Sequence, residues 1–159
     1  MKFVVLYKEE DGRWVRFLDP NPYLSILPEI SADLPPGARE YATSPDHYDF
    51  YGRRCVKDLE LEGVNLSPAE GGALNISVRF KGNAFKHDSG MVVEYCSVSK
   101  FEVESTEDFS RGEYPPSGLG SVKLDEVLPD SGGCSHEIVF TGGSILVKSK
   151  DLSCRWTAS

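Results

Sequence analysis

The sequence lacks the features that would place it at once in a membrane or metal-binding class. Its apolar runs, such as Phe3 to Tyr7, fall far short of the roughly 18 to 20 residues that a membrane helix needs. Its four cysteines are Cys55, Cys96, Cys134 and Cys154. None belongs to a C-x-x-C pair, and zinc sites typically draw their ligands in such close pairs. We therefore expect no membrane span, and four reduced thiols without a bound metal.

The N-terminus also lacks a secretory signal. The apolar run that begins at Phe3 is interrupted by Lys8-Glu9-Glu10-Asp11. It is shorter than the apolar region of about 7 to 15 residues in a signal peptide. We interpret the run as a β-strand and expect a cytoplasmic protein.

Positive charge is scarce relative to negative charge. The chain has 17 Lys plus Arg against 25 Asp plus Glu, which leaves a formal net charge of −8. Nucleic acids and anionic membranes are themselves negative, so this balance disfavours both as partners. A basic protein would complement the charge, although the charge also serves plain solubility.

Catalytic motifs are missing as well. The three histidines, His47, His87 and His136, lie in no H-E-x-x-H motif and beside no nucleophile elbow. His136 lies two residues from Cys134 on one face of a predicted strand, but a hydrogen-bonded strand histidine explains it better than a metal ligand does. We predict no catalytic residue and no cofactor.

What the sequence does contain is β-strand alternation. Ala73 to Lys81 alternates apolar and polar residues, which is typical of a half-buried antiparallel strand. Cys55 to Leu61 is its predicted hairpin partner, and Met91 to Val103 continues the alternation over a longer strand, with Ser97 and Ser99 suggesting a bend. The predicted core comprises Leu74, Ile76, Val78, Phe80, Val93, Tyr95, Phe101, Val103, Ile138, Phe140, Ile145 and Val147.

Gly142-Gly143 is the strongest turn signal in the chain and predicts a tight hairpin between residues 136–141 and 144–148. A two-residue turn at these glycines fixes the register of the two strands. The predicted pairs are Phe140 with Ile145, Ile138 with Val147, and Glu137 with Lys148.

Two long segments interrupt the strand pattern. Residues 19–53 are rich in proline and aromatic residues and predict a loop packed over an open end or edge of the sheet, with a turn or two of helix from Ser44 to Gly52. Residues 104–120 predict a second long loop. The fold class that follows is mainly β: one domain over residues 1–159, an antiparallel β-sandwich or open barrel with long Pro-rich loops and at most one or two short helices.

Candidate binding residues lie in both long segments. The first crowds aromatic and acidic side chains, a composition that interfaces favour, although the same residues could simply plug the sheet. The second carries part of an acidic cluster that could be a recognition face or a solvated rim. The candidate residues are Asp46, His47, Tyr48, Asp49, Tyr51, Glu107, Asp108 and Glu113.

Three stretches, residues 90–103, Leu124-Asp125-Glu126-Val127-Leu128 and His136-Glu137-Ile138-Val139-Phe140, resemble small β-rich bacterial families of unknown function. Some families of that kind are immunity proteins encoded beside polymorphic toxins. The resemblance covers about the C-terminal two-thirds of the chain and includes no catalytic signature. It implies a toxin-binding role but carries over no individual residue, because such proteins bind through surfaces that differ between families.

Three hypotheses for function follow from the sequence. The first is a non-enzymatic intracellular protein-binding domain, such as an immunity-type inhibitor of a basic toxin. The alternative is a small-ligand-binding β-barrel or an enzyme with a cleft near His47 or His136. The third is a structural module with an unpaired sheet edge. A deep pocket favours the second hypothesis, and a flat acidic and aromatic face favours the first.

Overall fold

The computed structural model describes residues 1–105 and 118–157, and within them the protein is mainly β. The helices are α1 Asn21–Ile30 and α2 Pro36–Ala42, with short 3-10 turns at Ser31–Asp33 and Glu70–Gly72. The strands are β1 Val5–Glu10, β2 Arg13–Asp19, β3 Glu60–Pro68, β4 Leu74–Lys81, β5 Met91–Ser105, β6 Val122–Asp130, β7 Gly133–Phe140 and β8 Gly143–Trp156. No helix in this described part is long and apolar enough to cross a membrane.

Six antiparallel strands form an open barrel. They are ordered β3-β4-β5-β8-β7-β6, while β1 and β2 pair separately as a two-stranded sheet. The two edge strands meet at one end, where Glu60 bridges to Ser121. Beside this bridge the Asp58 amide donates to the Val122 carbonyl at 2.9 Å, and the Val122 amide donates to the Leu59 carbonyl at 2.7 Å. The sheet therefore closes on itself at this end and stays open along the rest of β3 and β6.

The predicted core is largely confirmed. Nine of the predicted residues are buried: Ile76, Val78, Phe80, Val93, Tyr95, Ile138, Phe140, Ile145 and Val147. Leu74 and Phe101 are half-buried against them. The core prediction is wrong for Val103, since the Val103 side chain is 51% exposed. Val103 pairs with the buried Ile145 and so keeps its predicted face, but it lies at the end of β5, where residues 102–105 are all exposed.

The β7–β8 hairpin forms, but the predicted register is wrong by two residues. Phe140 pairs with Gly143 and Ile138 with Ile145, so Thr141 and Gly142 make the turn. Gly143 is the first residue of β8, and a Cβ at this position would collide with the carbonyl of Glu104 on β5, so only glycine fits there. A shift of two keeps every side chain on its predicted face, which is why the core assignment survives.

The predicted pair between Glu137 and Lys148 is consequently absent. Glu137 instead contacts the amino group of Met1 at 2.6 Å, and Lys148 pairs with Asp130 at 2.9 Å.

The strand before β4 also begins later than predicted. The partner of β4 is Glu60–Pro68, not Cys55 to Leu61. The register of β3 with β4 shifts between Leu61 and Gly63. This irregularity interrupts the alternation of apolar and polar residues by which a strand is recognised in the sequence. Of the second predicted loop, Glu104 and Ser105 belong to β5, and residues 106–117 lie outside the described part.

The Pro-rich segment contains two helices where an irregular wrapping loop was predicted. Proline breaks helix interiors but is tolerated in the first turn, where the amide has no partner within the helix. Pro20 and Pro22 occupy the start of α1, and Pro35 and Pro36 occupy the start of α2. Only Pro28 lies inside a helix.

The helix predicted from Ser44 to Gly52 is wrong. This stretch forms successive turns, with hydrogen bonds from His47 to Ser44 and from Asp49 to Asp46. These backbone bonds span three residues, so no α-helical ladder develops.

The Pro-rich segment, residues 19–53, which we call the helical segment, covers the edge strand β6, as its apolar residues predicted. The Tyr23 hydroxyl from α1 donates to the Val127 carbonyl at 2.6 Å, and the Tyr48 hydroxyl donates to the Asp125 carbonyl at 2.6 Å. The Glu126 carboxylate, on the same strand, accepts the backbone amides of Lys2, Phe3 and Val4, each at 2.7 Å. Tyrosine hydroxyls thus bind backbone carbonyls of this edge strand, and the N-terminal backbone binds one of its carboxylates.

Candidate functional site

A buried polar network is centred on the Asp125 carboxylate, which is 1% exposed. The His47 Nε2 atom lies 2.7 Å from Oδ1 of Asp125. The His136 Nε2 atom and the Tyr41 hydroxyl both lie 2.8 Å from Oδ2. These side chains come from β6, β7, α2 and the segment between α2 and β3, which we call the turn segment (residues 43–59). The network therefore ties the helical segment to the barrel.

Hydrogen-bond roles assign the protons in this network. Burial alone would raise the pKa of Asp125, but the charge of His47 and the hydrogen bonds of both histidines hold that pKa well below its usual range. Asp125 is thus an ionised carboxylate that only accepts. His47 also faces the Tyr41 carbonyl through Nδ1, at 3.0 Å. Both ring nitrogens of His47 therefore face acceptors, and a ring that carries a proton on each nitrogen satisfies both contacts.

His136 has a different protonation state from His47. Its Nε2–H donates to Asp125, and its Nδ1 lies 2.7 Å from the Tyr95 hydroxyl. No other partner for this hydroxyl is found within the described residues, so the hydroxyl donates to Nδ1. His136 is then neutral, and the network holds one ion pair, His47 with Asp125.

Four tyrosines surround this ion pair as neutral donors. Burial raises the pKa of Tyr23, Tyr41, Tyr48 and Tyr95 above the ordinary value, and the negative charge of Asp125 raises it further. In the described part of the chain, every buried side-chain nitrogen or oxygen has a hydrogen-bond partner. The network is fully satisfied, which is the condition under which a buried polar cluster stabilises a fold.

A cleft of about 230 Å³ lies beside the network, between α2, the turn segment and the ends of β5 and β8. Tyr41 and His47 contribute to its lining, and so do Cys154 and Trp156. His136 does not line it. Of the two places named by the sequence, only the neighbourhood of His47 carries this cleft.

The polar groups of this lining are poorly placed for catalysis. Both nitrogens of His47 are engaged, so neither is free to remove a proton from a ligand. Burial, together with the charges of Asp125 and Glu40, raises the pKa of the Cys154 thiol to about 12. A thiol of that kind is a weak nucleophile at neutral pH. The network holds His47 in place, and neither His47 nor Cys154 is activated as a base or nucleophile.

The comparisons with known proteins do not assign this site. No family model matches the chain, and neither a curated protein nor a solved structure matches it. The geometry of the molecule therefore carries the functional assignment.

The structure separates the candidate binding residues into three groups. His47 and Tyr48 are directed into the network, where both contact Asp125. Asp46, Asp49 and Tyr51 remain on the surface of the turn segment. The last group, Glu107, Asp108 and Glu113, lies outside the described residues.

Sequence reasoning missed the centre of the site. Asp125 stands among apolar residues of β6, next to Glu126, and this was the single local signal of a buried charge. Tyr41 and Tyr95 gave no signal of a polar role, because their sequence surroundings are those of an ordinary buried aromatic residue. The partners come from four separate elements, and only the fold brings them together.

Two neighbouring loops each present a fully exposed aromatic side chain. Tyr51 in the turn segment is 98% exposed, and Phe85 in the β4–β5 loop (residues 82–90) is fully exposed. Arg53 pairs with Asp88 across these loops at 2.8 Å. The His87 ring adds a second link through Nε2, which lies 3.0 Å from the Cys55 carbonyl. The two loops are therefore held to one another.

The four cysteines are free thiols with different surroundings. Cys96 is exposed, whereas burial raises the pKa of Cys134 to about 11 and that of Cys154 to about 12. Within residues 1–105 and 118–157, no group of three or more histidine, cysteine or acidic side chains could hold a metal ion.

We expect Cys96 to react first with iodoacetamide in the folded protein. At about pH 8, a thiol whose pKa is about 12 is ionised in roughly one molecule in 10⁴, so Cys154 should react far more slowly. Mass spectrometry of labelled peptides measures the order, and Cys96→Ser is the control that should remove the fast phase. Denatured, unreduced protein should expose four titratable thiols. Equal labelling rates for Cys96 and Cys154 would contradict the burial described here.

Proposed function

We propose that this chain is a non-enzymatic protein-binding domain that presents Tyr51 to a basic protein partner. The observation that carries the proposal is the contrast within one short segment. Tyr51 is 98% exposed, while His47 and Tyr48, four and three residues before it, are held by the buried Asp125. The contacts of His47 and Tyr48 hold the neighbouring backbone, so little backbone freedom remains to be lost when Tyr51 binds. Tyrosine is also among the residues that most often anchor protein interfaces.

Charge supports a basic partner. The chain carries a formal net charge of −8, and the exposed Asp46 and Asp49 lie close to Tyr51 in the sequence. A field of this sign speeds encounter with a positive surface and contributes less to the affinity once the complex has formed. Tyr51 would supply the buried contact area that the acidic residues do not.

The sequence resemblance favours one form of this proposal, an immunity-type inhibitor that covers a basic toxin in the cytoplasm. The engaged histidines and the high thiol pKa of Cys154 are in keeping with a binding role, since they leave no activated group at the cleft. Tyr51 is the proposed anchor in preference to Tyr48, whose hydroxyl is spent on the Asp125 carbonyl.

Once a stoichiometric partner has been purified from the native host, we expect Tyr51→Ala to accelerate dissociation by roughly 10- to 100-fold. The fold should be unaffected, because the Tyr51 side chain is almost fully solvated. Surface plasmon resonance over a salt series gives both rate constants. Association should slow as salt rises, and reversing Glu107, Asp108 and Glu113 to lysine should slow it too.

Leu66→Ala on β3 is the control for this experiment, because it also truncates an exposed apolar side chain, one that is 54% exposed. Its dissociation rate should match that of the wild type. A Tyr51→Ala variant with unchanged dissociation, or an association rate that ignores salt, would show that the partner contacts another face.

A further inference from the structure

The cleft beside His47 is lined by polar and apolar side chains, including two charged residues of opposite sign. Among the apolar residues, Trp156 is half-buried, while Val56 and Met91 are only 3% and 2% exposed. Glu40 and Arg54 also line the cleft, and both residues are exposed. Neither forms an ion pair or a hydrogen bond through its side chain with any other described residue, and the two do not pair with each other.

The positive charge of His47 is not available to a ligand. Its two N–H groups are used by Asp125 and by the Tyr41 carbonyl. The charge is neutralised within the network, which leaves one carboxylate and one guanidinium facing the cleft. A ligand that satisfies both must itself carry a positive and a negative group.

The size of the cleft limits that ligand. Its volume of about 230 Å³ lies below the range of roughly 300 to 1,000 Å³ that is usual for drug-sized ligands. A molecule with two charged groups and one short apolar side chain is of the appropriate size.

We propose that the cleft binds a free α-amino acid with an apolar side chain. Arg54 receives the α-carboxylate, Glu40 receives the α-ammonium group, and the side chain packs mainly against Trp156. This activity is separate from the proposed protein binding and does not depend on Tyr51.

The surrounding structure preforms the cleft. The Asp151 carboxylate accepts the backbone amides of Gly37 and Ala38 at 3.1 and 2.9 Å, which fixes α2 against β8. The Trp156 ring stacks on His87, with ring centres 6.2 Å apart. The walls are thus held before a ligand arrives, which lowers the entropic cost of binding.

Isothermal titration of the full chain tests the proposal with L-phenylalanine and L-leucine as probes. We expect at least one of them to bind with a dissociation constant of roughly 1 mM or lower. For the probe that binds, the deaminated and decarboxylated analogues, such as 3-phenylpropionate and 2-phenylethylamine, should each bind about 10-fold more weakly or worse, because each leaves one rim charge unmatched.

Two variants assign the charges. Arg54→Met should weaken binding of the amino acid about 10-fold and leave the amine analogue unaffected, since that analogue has no carboxylate to lose. Glu40→Gln should weaken the amino acid and spare the acid analogue. Arg13→Met, which removes an exposed arginine on β2, is the matched control and should change nothing.

The outcomes are decisive in either direction. Failure of both amino acids to bind, or binding that neither Arg54→Met nor Glu40→Gln alters, would overturn the proposal. Tyr51→Ala should bind the amino acid as the wild type does. Loss of protein binding in that variant therefore bears on the proposed function alone.

Discussion

Replacing Asp125 with asparagine should destabilise the fold by about 3 to 5 kcal/mol. The substitution keeps the shape of the side chain but removes the charge that balances His47. The amide would also place a donor group where the carboxylate now accepts from His47, His136 and Tyr41. In the variant, His47 either keeps a buried charge without its partner or releases a proton that one of its two hydrogen bonds needs.

Urea denaturation, followed by circular dichroism at neutral pH, measures this loss. Asp130→Asn is the matched control on the same strand. Asp130 pairs with Lys148 at the surface, so loss of its charge should lower the free energy of unfolding much less. An Asp125→Asn variant as stable as Asp130→Asn would mean that the ion pair with His47 does not form.

Acid below about pH 4 should begin to reduce the difference between the wild type and Asp125→Asn. The pKa of Asp125 in the folded protein is lowered, so its contribution to stability is present above the pKa of an unfolded aspartate, about 3.9. That contribution is lost as the pH falls below this value toward the folded pKa. The same urea titrations, repeated at intervals from about pH 5 down to pH 3, should show the two free energies of unfolding beginning to converge below about pH 4. A gap that widens between about pH 4 and pH 3 would have the wrong sign for an ionised Asp125.

Truncating Phe140 to alanine should cost about 3 to 5 kcal/mol. Phe140 is 1% exposed and stacks on Phe80, with ring centres 6.3 Å apart, so its removal leaves a cavity between β4 and β7. A loss of this size is a large part of the stability of a typical domain. Phe140→Leu should cost less, because it refills part of the cavity.

The midpoint of urea denaturation reports this effect. Val103→Ala is the control, since Val103 is 51% exposed and its truncation opens no cavity. The two variants should differ clearly in stability. Similar midpoints for Phe140→Ala and Val103→Ala would show that Phe140 is not packed in the core.

The strands were predictable where alternation runs without interruption. Ile76, Val78 and Phe80 were assigned inward from period-two spacing, and all three are buried. The prediction failed for the start of β3, which lies beside an irregularity in pairing at Leu61 to Gly63. A bulge inserts one residue and so interrupts the alternation that marks a strand. Val103 failed for another reason, since it pairs with the buried Ile145 and keeps the predicted face but lies in the exposed end of β5.

The prolines show a different limit. Proline excludes helix interiors but not helix starts, and a sequence alone does not say which of the two positions a proline occupies. Pro20, Pro22, Pro35 and Pro36 all lie at helix starts. The segment predicted as a loop therefore contains two helices. Its apolar residues correctly indicated that the segment packs over the sheet.

The sequence by itself determined the mainly β class, the net charge and most of the residues that face the core. These depend on composition and on the spacing of neighbouring residues, which are local properties. The tertiary structure alone decided which end of the sheet closes, the register of the last hairpin and the site around Asp125. Gly143 begins β8 at a position where the Glu104 carbonyl leaves no room for a side chain. His47 and His136 share Asp125 although they lie 78 and 11 residues from it along the chain. Contacts between such distant residues depend on how the elements pack, and residue spacing does not encode them.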